Sequence, residues 1–274
     1  TKGAVTGIFL VDTSTGAAAY LDDLEDRPYQ GVYRRVNGRP AEAIAASDGN
    51  FALIMRRDGA GGTDGAYLYH ATTGQCVYFS HVDEMNPDPV VNFASHLPKM
   101  DGRVVAIALQ NGSEATPQAL LVDEGSGAVY RVGGLEREPL RLSVTRLQPG
   151  LFEFFPQSSA VASAPRFVLI PGFSDNGATD MVFIADAGTG RMAVLKDVRQ
   201  ASGVRLVGST KSLSGYLPDI SGQTRALAGA PQVGSSGTTD GAWIFDSASG
   251  ALLALEKVRG PQNLKINRIE KESN

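Results

Sequence analysis

Three arginines and one asparagine recur in this chain at one spacing. Asn50, Arg103, Arg166 and Arg225 stand 13, 13, 13 and 14 residues ahead of Thr63, Thr116, Thr179 and Thr239. A register this constant implies equivalent positions on equivalent structural units. A guanidinium presents a planar fork of donors that suits a carboxylate, phosphate or sulfate, and several of them gathered at one place repel unless an anion neutralises them. The set therefore predicts one of two things. Either Asn50, Arg103, Arg166 and Arg225 ring a channel mouth and bind a small anion there, or they pair with acids of the fold such as Asp48 and Asp101, each two residues before a member of the set.

Asp48 and Asp101 carry a second possibility. Glycoside hydrolysis needs two carboxyl groups roughly 5 to 9.5 Å apart, one of them held protonated. These two would be the catalytic candidates of such an enzyme, although each opens an Asp-Gly step, which is also a common tight turn. All three histidines, His70, His81 and His96, fall within one stretch that also holds Asp83, Glu84 and Asp88. Their residue types suit zinc, but alternating strand directions place them at different edges, so no metal site is expected and His70 reads as a variant turn residue. Thr63-Asp64, Thr179-Asp180 and Thr239-Asp240, each after glycines, could hold sugars or calcium through hydroxyl and carboxylate oxygens, although repeated turns explain them first. No Gly-x-Ser-x-Gly elbow, phosphate-binding loop or Cys-x-x-Cys occurs.

The elements that position these residues come from a phrase spoken five times: an apolar run, an acid, two variable residues, a hydroxyl residue and a glycine. It is first Phe9-Leu10-Val11-Asp12-Thr13-Ser14-Thr15-Gly16, and it returns ending at Gly74, Gly127, Gly190 and Gly250. The acid is Asp12, Asp123, Asp186 and Asp246, with His70 in its place once. Such a phrase is hairpin chemistry: the side chain of the acid bonds the backbone just ahead, and glycine takes the positive φ that closes the turn. Three positions before the acid stand Phe9, Tyr67, Leu120, Phe183 and Trp243, and two before it Leu10, Leu68, Leu121, Ile184 and Ile244. A strand apolar on both faces lies between sheets packed face to face.

Each copy supplies about four short strands, and such copies around an axis make a β-propeller. The expected fold is all-β: one five-bladed β-propeller domain of four-stranded antiparallel blades spanning 1–274, with copies at about 1–49, 50–102, 103–165, 166–224 and 225–274. The first copy lacks its inner strand, because the register would place that strand before Thr1. One segment escapes the repeat, Leu151-Phe152-Glu153-Phe154-Phe155-Pro156, which either offers exposed aromatics to a partner or plugs the gap beneath the fourth blade.

Bulk properties narrow the function classes. The chain has 274 residues, 42% hydrophobic and 20% charged, with a net charge of -4. No broad basic footprint invites nucleic acid, and no apolar run approaches the ~20 residues of a membrane-spanning helix. The single Cys76 rules out an internal disulfide and reads as a core hydrophobe, since its repeat counterparts are Ala18, Val129, Met192 and Leu252. The absence of an initial methionine suggests a removed leader or tag, which favours a periplasmic or secreted location over a cytoplasmic one.

The strand and hairpin of Gly65-Ala66-Tyr67-Leu68-Tyr69-His70-Ala71-Thr72-Thr73-Gly74 resemble the repeat of quinoprotein-type bacterial propellers, in which a strand ending in Asp meets a Thr-Gly turn. The resemblance covers nearly the whole chain as a repeat pattern. It implies the propeller fold, but not the quinone cofactor: the tryptophan that closes that family's repeat is missing from every copy, and Cys76 alone cannot supply its adjacent cysteine pair. Cofactor-free propellers of this kind imply scaffolds in envelope assembly or carbohydrate binders. The expected function is thus a non-enzymatic binding or scaffold module for a protein partner, with a carbohydrate- or small-anion-binding propeller second and a glycoside hydrolase third.

Overall fold

The computed structural model describes residues 8–11, 18–22, 32–35, 51–57, 63–70, 72–79, 91–92, 100, 103–109, 118–134, 143–147, 150–155, 166–200, 204–216, 227–234, 236–246, 249, 251–260 and 263–269. Its strands form five antiparallel sheets, each following the chain order as a meander. The first has three strands, β1 (Ile8–Val11), β2 (Ala18–Asp22) and β3 (Val32–Arg35). The other four have four strands each. They are β4 (Phe51–Arg57), β5 (Thr63–His70), β6 (Gln75–Phe79) and β7 (Val91–Asn92); β8 (Val104–Leu109), β9 (Gln118–Asp123), β10 (Val129–Gly133) and β11 (Ser143–Leu147); β12 (Phe167–Phe173), β13 (Thr179–Asp186), β14 (Arg191–Lys196) and β15 (Arg205–Ser212); and β16 (Leu227–Val233), β17 (Thr239–Asp246), β18 (Ala251–Glu256) and β19 (Lys265–Ile269). Among the described strands, β1, which carries the repeated phrase, is the outermost on its side of the first sheet, whereas in the other sheets a further strand precedes it.

The four four-stranded sheets stand face to face in sequence. β4 neighbours β8, β8 neighbours β12, and β12 neighbours β16, so the leading strands of successive sheets run side by side. Between the sheets lie three apolar layers. Ile54, Tyr67 and Tyr69 meet Val104, Leu121 and Tyr130; Leu120, Val122 and Val129 meet Phe167, Ile184 and Leu195; Phe183, Ala185 and Val194 meet Ile244, Leu253 and Ile266. The strand carrying the phrase is therefore buried on both faces, as its apolar pattern requires. Each fully buried Leu, Ile or Phe contributes about 1.5–3 kcal/mol. Cys76 belongs to the first layer, and burial pushes its thiol well above the usual range.

The leading strands end alike. The register between first and second strands shifts at Arg56/Arg57, at Gly172/Phe173 and at Gln232/Val233, a bulge recurring in three sheets. The Leu151–Glu153 3-10 turn and Phe155 fill the layer between third and fourth sheets: Leu151 and Phe155 are buried, Phe155 packs at 5.5 Å from the Phe167 ring, and Phe154 meets it edge-on at 5.1 Å. Phe154 in turn lies over Gly208, where any Cβ would collide with its ring. The aromatic segment is thus core of that junction.

Candidate functional site

The hairpins show what the repeated acid does. Asp123 Oδ1 accepts the Gly125 N–H at 3.0 Å and its Oδ2 accepts the Ser126 hydroxyl at 2.6 Å. Asp186 repeats the pattern with Gly188 N–H at 2.9 Å and Thr189 Oγ1 at 2.7 Å, and Asp246 Oδ2 accepts Ser249 Oγ at 2.5 Å. His70 stands in for the acid through Nδ1, which accepts the Thr73 N–H at 3.2 Å and lies 2.9 Å from its hydroxyl. Gly74, Gly127 and Gly190 close the turns at φ of 69°, 67° and 68°, each donating its N–H to the carbonyl of the residue at the acid position.

One of these acids holds more than its turn. Arg166 Nε donates to Asp186 Oδ1 at 2.9 Å and its NH2 group to Oδ2 at 2.8 Å, a parallel two-pronged bond in which Asp186 is fully buried and Arg166 nearly so. With the two turn donors, the carboxylate accepts four hydrogen bonds and is saturated. The guanidinium also lies 4.9 Å from the Phe167 ring centroid and 5.4 Å from that of Phe152. Its Nε and NH2 groups are held by the acid of its own sheet, twenty residues along the chain.

Arg103 occupies the same backbone position. Its carbonyl accepts the Glu124 N–H at 2.8 Å, as the Arg166 carbonyl accepts that of Ala187 at 2.8 Å, and its side chain is half-buried. The equivalence inferred from spacing therefore holds between these two. Asn50 and Arg225, together with Asp48, Asp101, His81, His96 and Thr116, lie outside the described residues. Of the threonines in the Thr-Asp pairs, Thr239 is buried and its hydroxyl accepts the N–H of Phe173, the bulge residue of the preceding sheet, at 2.7 Å.

Two further groups at the junctions were not singled out by the sequence. Glu124, just after the acid of the third sheet, reaches the fourth: its Oε1 accepts the N–H of Arg166 at 2.7 Å and of Phe167 at 2.8 Å. Burial pushes its carboxyl from 4.5 up to about 7, outweighing those two donors and the nearby charges of Arg103 and Arg166, which pull it down. At the opposite edge, Arg131 of the third sheet donates to the Arg199 carbonyl of the fourth, and Lys196 of the fourth donates to the Arg259 carbonyl of the fifth at 3.0 Å. Arg259 also bridges back to the Phe173 carbonyl at 2.9 Å and to Asp180 at 3.3 Å. Among the described residues no group of three or more His, Cys, Asp or Glu side chains is placed to hold a metal, and no helix is long and apolar enough to cross a membrane.

Glu124 gives the junction a pH dependence. A carboxyl whose folded pKa is raised favours the fold fully below about 4.5, and that contribution fades as pH rises through about 7. The loss amounts to about 3 kcal/mol at most. Denaturant midpoints at pH 5 and pH 8 should therefore fall in the wild type and change less in Glu124→Gln, whose amide oxygen still accepts both N–H groups. An equal fall in both proteins would show that Glu124 does not titrate in this window.

No protein-family model matches the chain, and no curated protein matches it either. Solved structures do. The chain is similar to a putative 6-phosphogluconolactonase from Bacteroides fragilis, with 11% identity over 97% of this chain and 68% of that one and a TM-score of 0.53. It is also similar to the periplasmic gluconolactonase of Pseudomonas aeruginosa, with 12% identity over 98% and 83% and a TM-score of 0.45. A β-propeller domain from Myceliophteria thermophila matches at 11% identity over 87% and 63%, with a TM-score of 0.41. At such identities a likeness concerns fold alone. The four-stranded antiparallel meanders, together with the first of these likenesses, make the fold a β-propeller.

Proposed function

We propose that the chain is a five-bladed propeller, built from quinoprotein-type repeats without their cofactor, that serves as a non-enzymatic scaffold for a protein partner. One observation carries this reading: the Arg166 fork, the strongest candidate for a ligand-binding group, is closed by the buried Asp186 inside its own blade. An arginine of the recurrent set held by the acid of its own hairpin supports architecture, and leaves recognition to the surfaces between and around the repeats. Lactone chemistry is named for two structural neighbours, so it supplies the sharpest contrast.

The test is an activity and binding screen of the purified chain paired with cross-linking in its native cells. A scaffold turns over neither 6-phosphogluconolactone nor glycosides, shows no saturable binding of inorganic phosphate or sulfate, and yields cross-links to a recurrent protein partner. Saturable hydrolysis of a lactone or glycoside would overturn it. Tight phosphate or sulfate binding that Arg103→Met abolishes would shift the function to small-anion recognition.

A further inference from the structure

The outermost strands of the sheets share a charge sign. β3, β7, β11, β15 and β19 contain no Asp or Glu, and all but the two-residue β7 contain Lys or Arg, in a chain whose net charge is -4. Register places part of this charge at one equivalent position. The residue two before the hairpin acid pairs through the third strand with the fourth, which links Leu10 to Arg35, Leu121 to Arg146, Ile184 to Gly208 and Ile244 to Arg268. Gly208 lies under the Phe154 ring, whereas Arg146 and Arg268 are exposed. Edge strands carry charge to deter pairing with other chains, but deterrence works with either sign. A single sign also selects for a partner of the opposite one.

Among the described residues, β19 alone of these strands leaves a large apolar side chain exposed. That residue, Ile269, is equivalent to Leu147 of β11: they pair with Leu252 and Val129, which in turn pair with the residues one before the hairpin acid. Leu147 is 2% exposed and packs with Leu151 and Phe155, whereas Ile269 is 46% exposed. Ile269 also ends a row that starts at Phe245, 43% exposed, and passes through Leu252, with the half-buried Trp243 beside Phe245 on the same face. No described strand lies beyond β19. Lys265 and Arg268 are exposed, Lys265 on the strand face of Ile269 and Arg268 on the other. We propose that β19 receives an extended acidic segment of a partner protein as an added antiparallel strand, with carboxylates beside Lys265 and Arg268 and an apolar side chain beside Ile269. Main-chain bonds to the open edge supply affinity, and the side chains set register. A second copy of this chain fits poorly, because β19 facing β19 brings like charges to one edge. The inference rests on the scaffold reading above and names the partner's chemistry.

The probe is a fluorescein-labelled peptide, Thr-Val-Glu-Thr-Val-Glu-Thr, whose acids fall opposite Arg268 and Lys265 when its first Val lies opposite Ile269. Its anisotropy should rise saturably with the full-length protein. Lys265→Glu combined with Arg268→Glu should weaken binding at least about ten-fold, with the denaturant midpoint close to that of the unaltered chain. N-methylation of alternate peptide residues separates strand addition from charge attraction. Blocking the N–H groups that face β19 should abolish binding, and blocking the other set should not, a contrast that still decides if the double variant fails to fold. Failure of the peptide to bind, equal binding of the two methylated forms, or full affinity in the charge-reversed variant would overturn the proposal. So would saturable heparin binding that displaces the peptide, since an anionic polymer would then be the occupant. Loss of the peptide site beside intact cross-links to a protein partner would strike this inference alone, whereas lactone or glycoside turnover would strike the scaffold role.

Discussion

Replacing Asp186 with Ala is expected to lower stability by about 3–5 kcal/mol, read as a shift of the denaturant midpoint with an unchanged slope. The size follows from what is left behind. The Arg166 guanidinium remains nearly buried with no carboxylate to meet Nε and NH2, and the Gly188 N–H and Thr189 hydroxyl lose their acceptor at the same time. An uncompensated buried charge costs far more than an exposed pair, whose loss is worth about 0–1 kcal/mol. Arg205→Ala supplies that comparison, since Arg205 pairs with Asp197 at 3.1 Å while 69% exposed, and its loss should hardly move the midpoint. A small effect of Asp186→Ala would mean that the pair is not what keeps the hairpin and the leading strand together.

Phe155→Ala should cost a comparable amount, about 3–5 kcal/mol, by a different route. Its ring is fully buried in the layer between third and fourth blades, against Phe167 on one side and Phe154 on the other. Truncation opens a cavity that rigid strands on both sides cannot close, so the lost transfer energy and the cavity term add. Thermal or denaturant unfolding checks this. A cost below about 1 kcal/mol, the range of a surface substitution, would show that the segment is a removable cover and not core.

The repeat was legible in the sequence because its signals are local. A hairpin is decided by an acid, a hydroxyl residue and a glycine within a few positions, and the observed bonds of Asp123, Asp186 and His70 are the ones those residue types imply. The equivalence of Arg103 and Arg166 was legible too, as a constant spacing. The partner of Arg166 was not recognised, because Asp186 already had a turn to explain it. A signal was nevertheless present: Arg103 and Asp123 are twenty residues apart, as are Arg166 and Asp186, and where the acid becomes His70 the residue twenty before it becomes Asn50. Loss of the acid together with the cation is what a paired charge leaves in a repeat.

Other features could not be read in advance. Glu124 has no counterpart at Ala187, and its role depends on two N–H groups brought near by the neighbouring blade. Leu151 to Phe155 suited both a surface and a plug, because aromatic composition says nothing about which side of a sheet a long connection crosses. The half-exposed row of Trp243, Phe245 and Ile269 is equally invisible along the chain, since Trp243 looks like Phe183 in every local respect.

The central claim is that the recurrent arginine and acid are one structural unit. A double-mutant cycle on Arg166→Met and Asp186→Leu, followed by denaturant unfolding, tests it most directly. If the two side chains act as a unit, Asp186→Leu alone is strongly destabilising, the double variant recovers much of the loss because no buried charge remains, and the coupling energy exceeds about 1 kcal/mol. Additive losses, with Arg166→Met neutral for stability but damaging to the binding of phosphate or sulfate, would contradict it and return Arg166 to a ligand site.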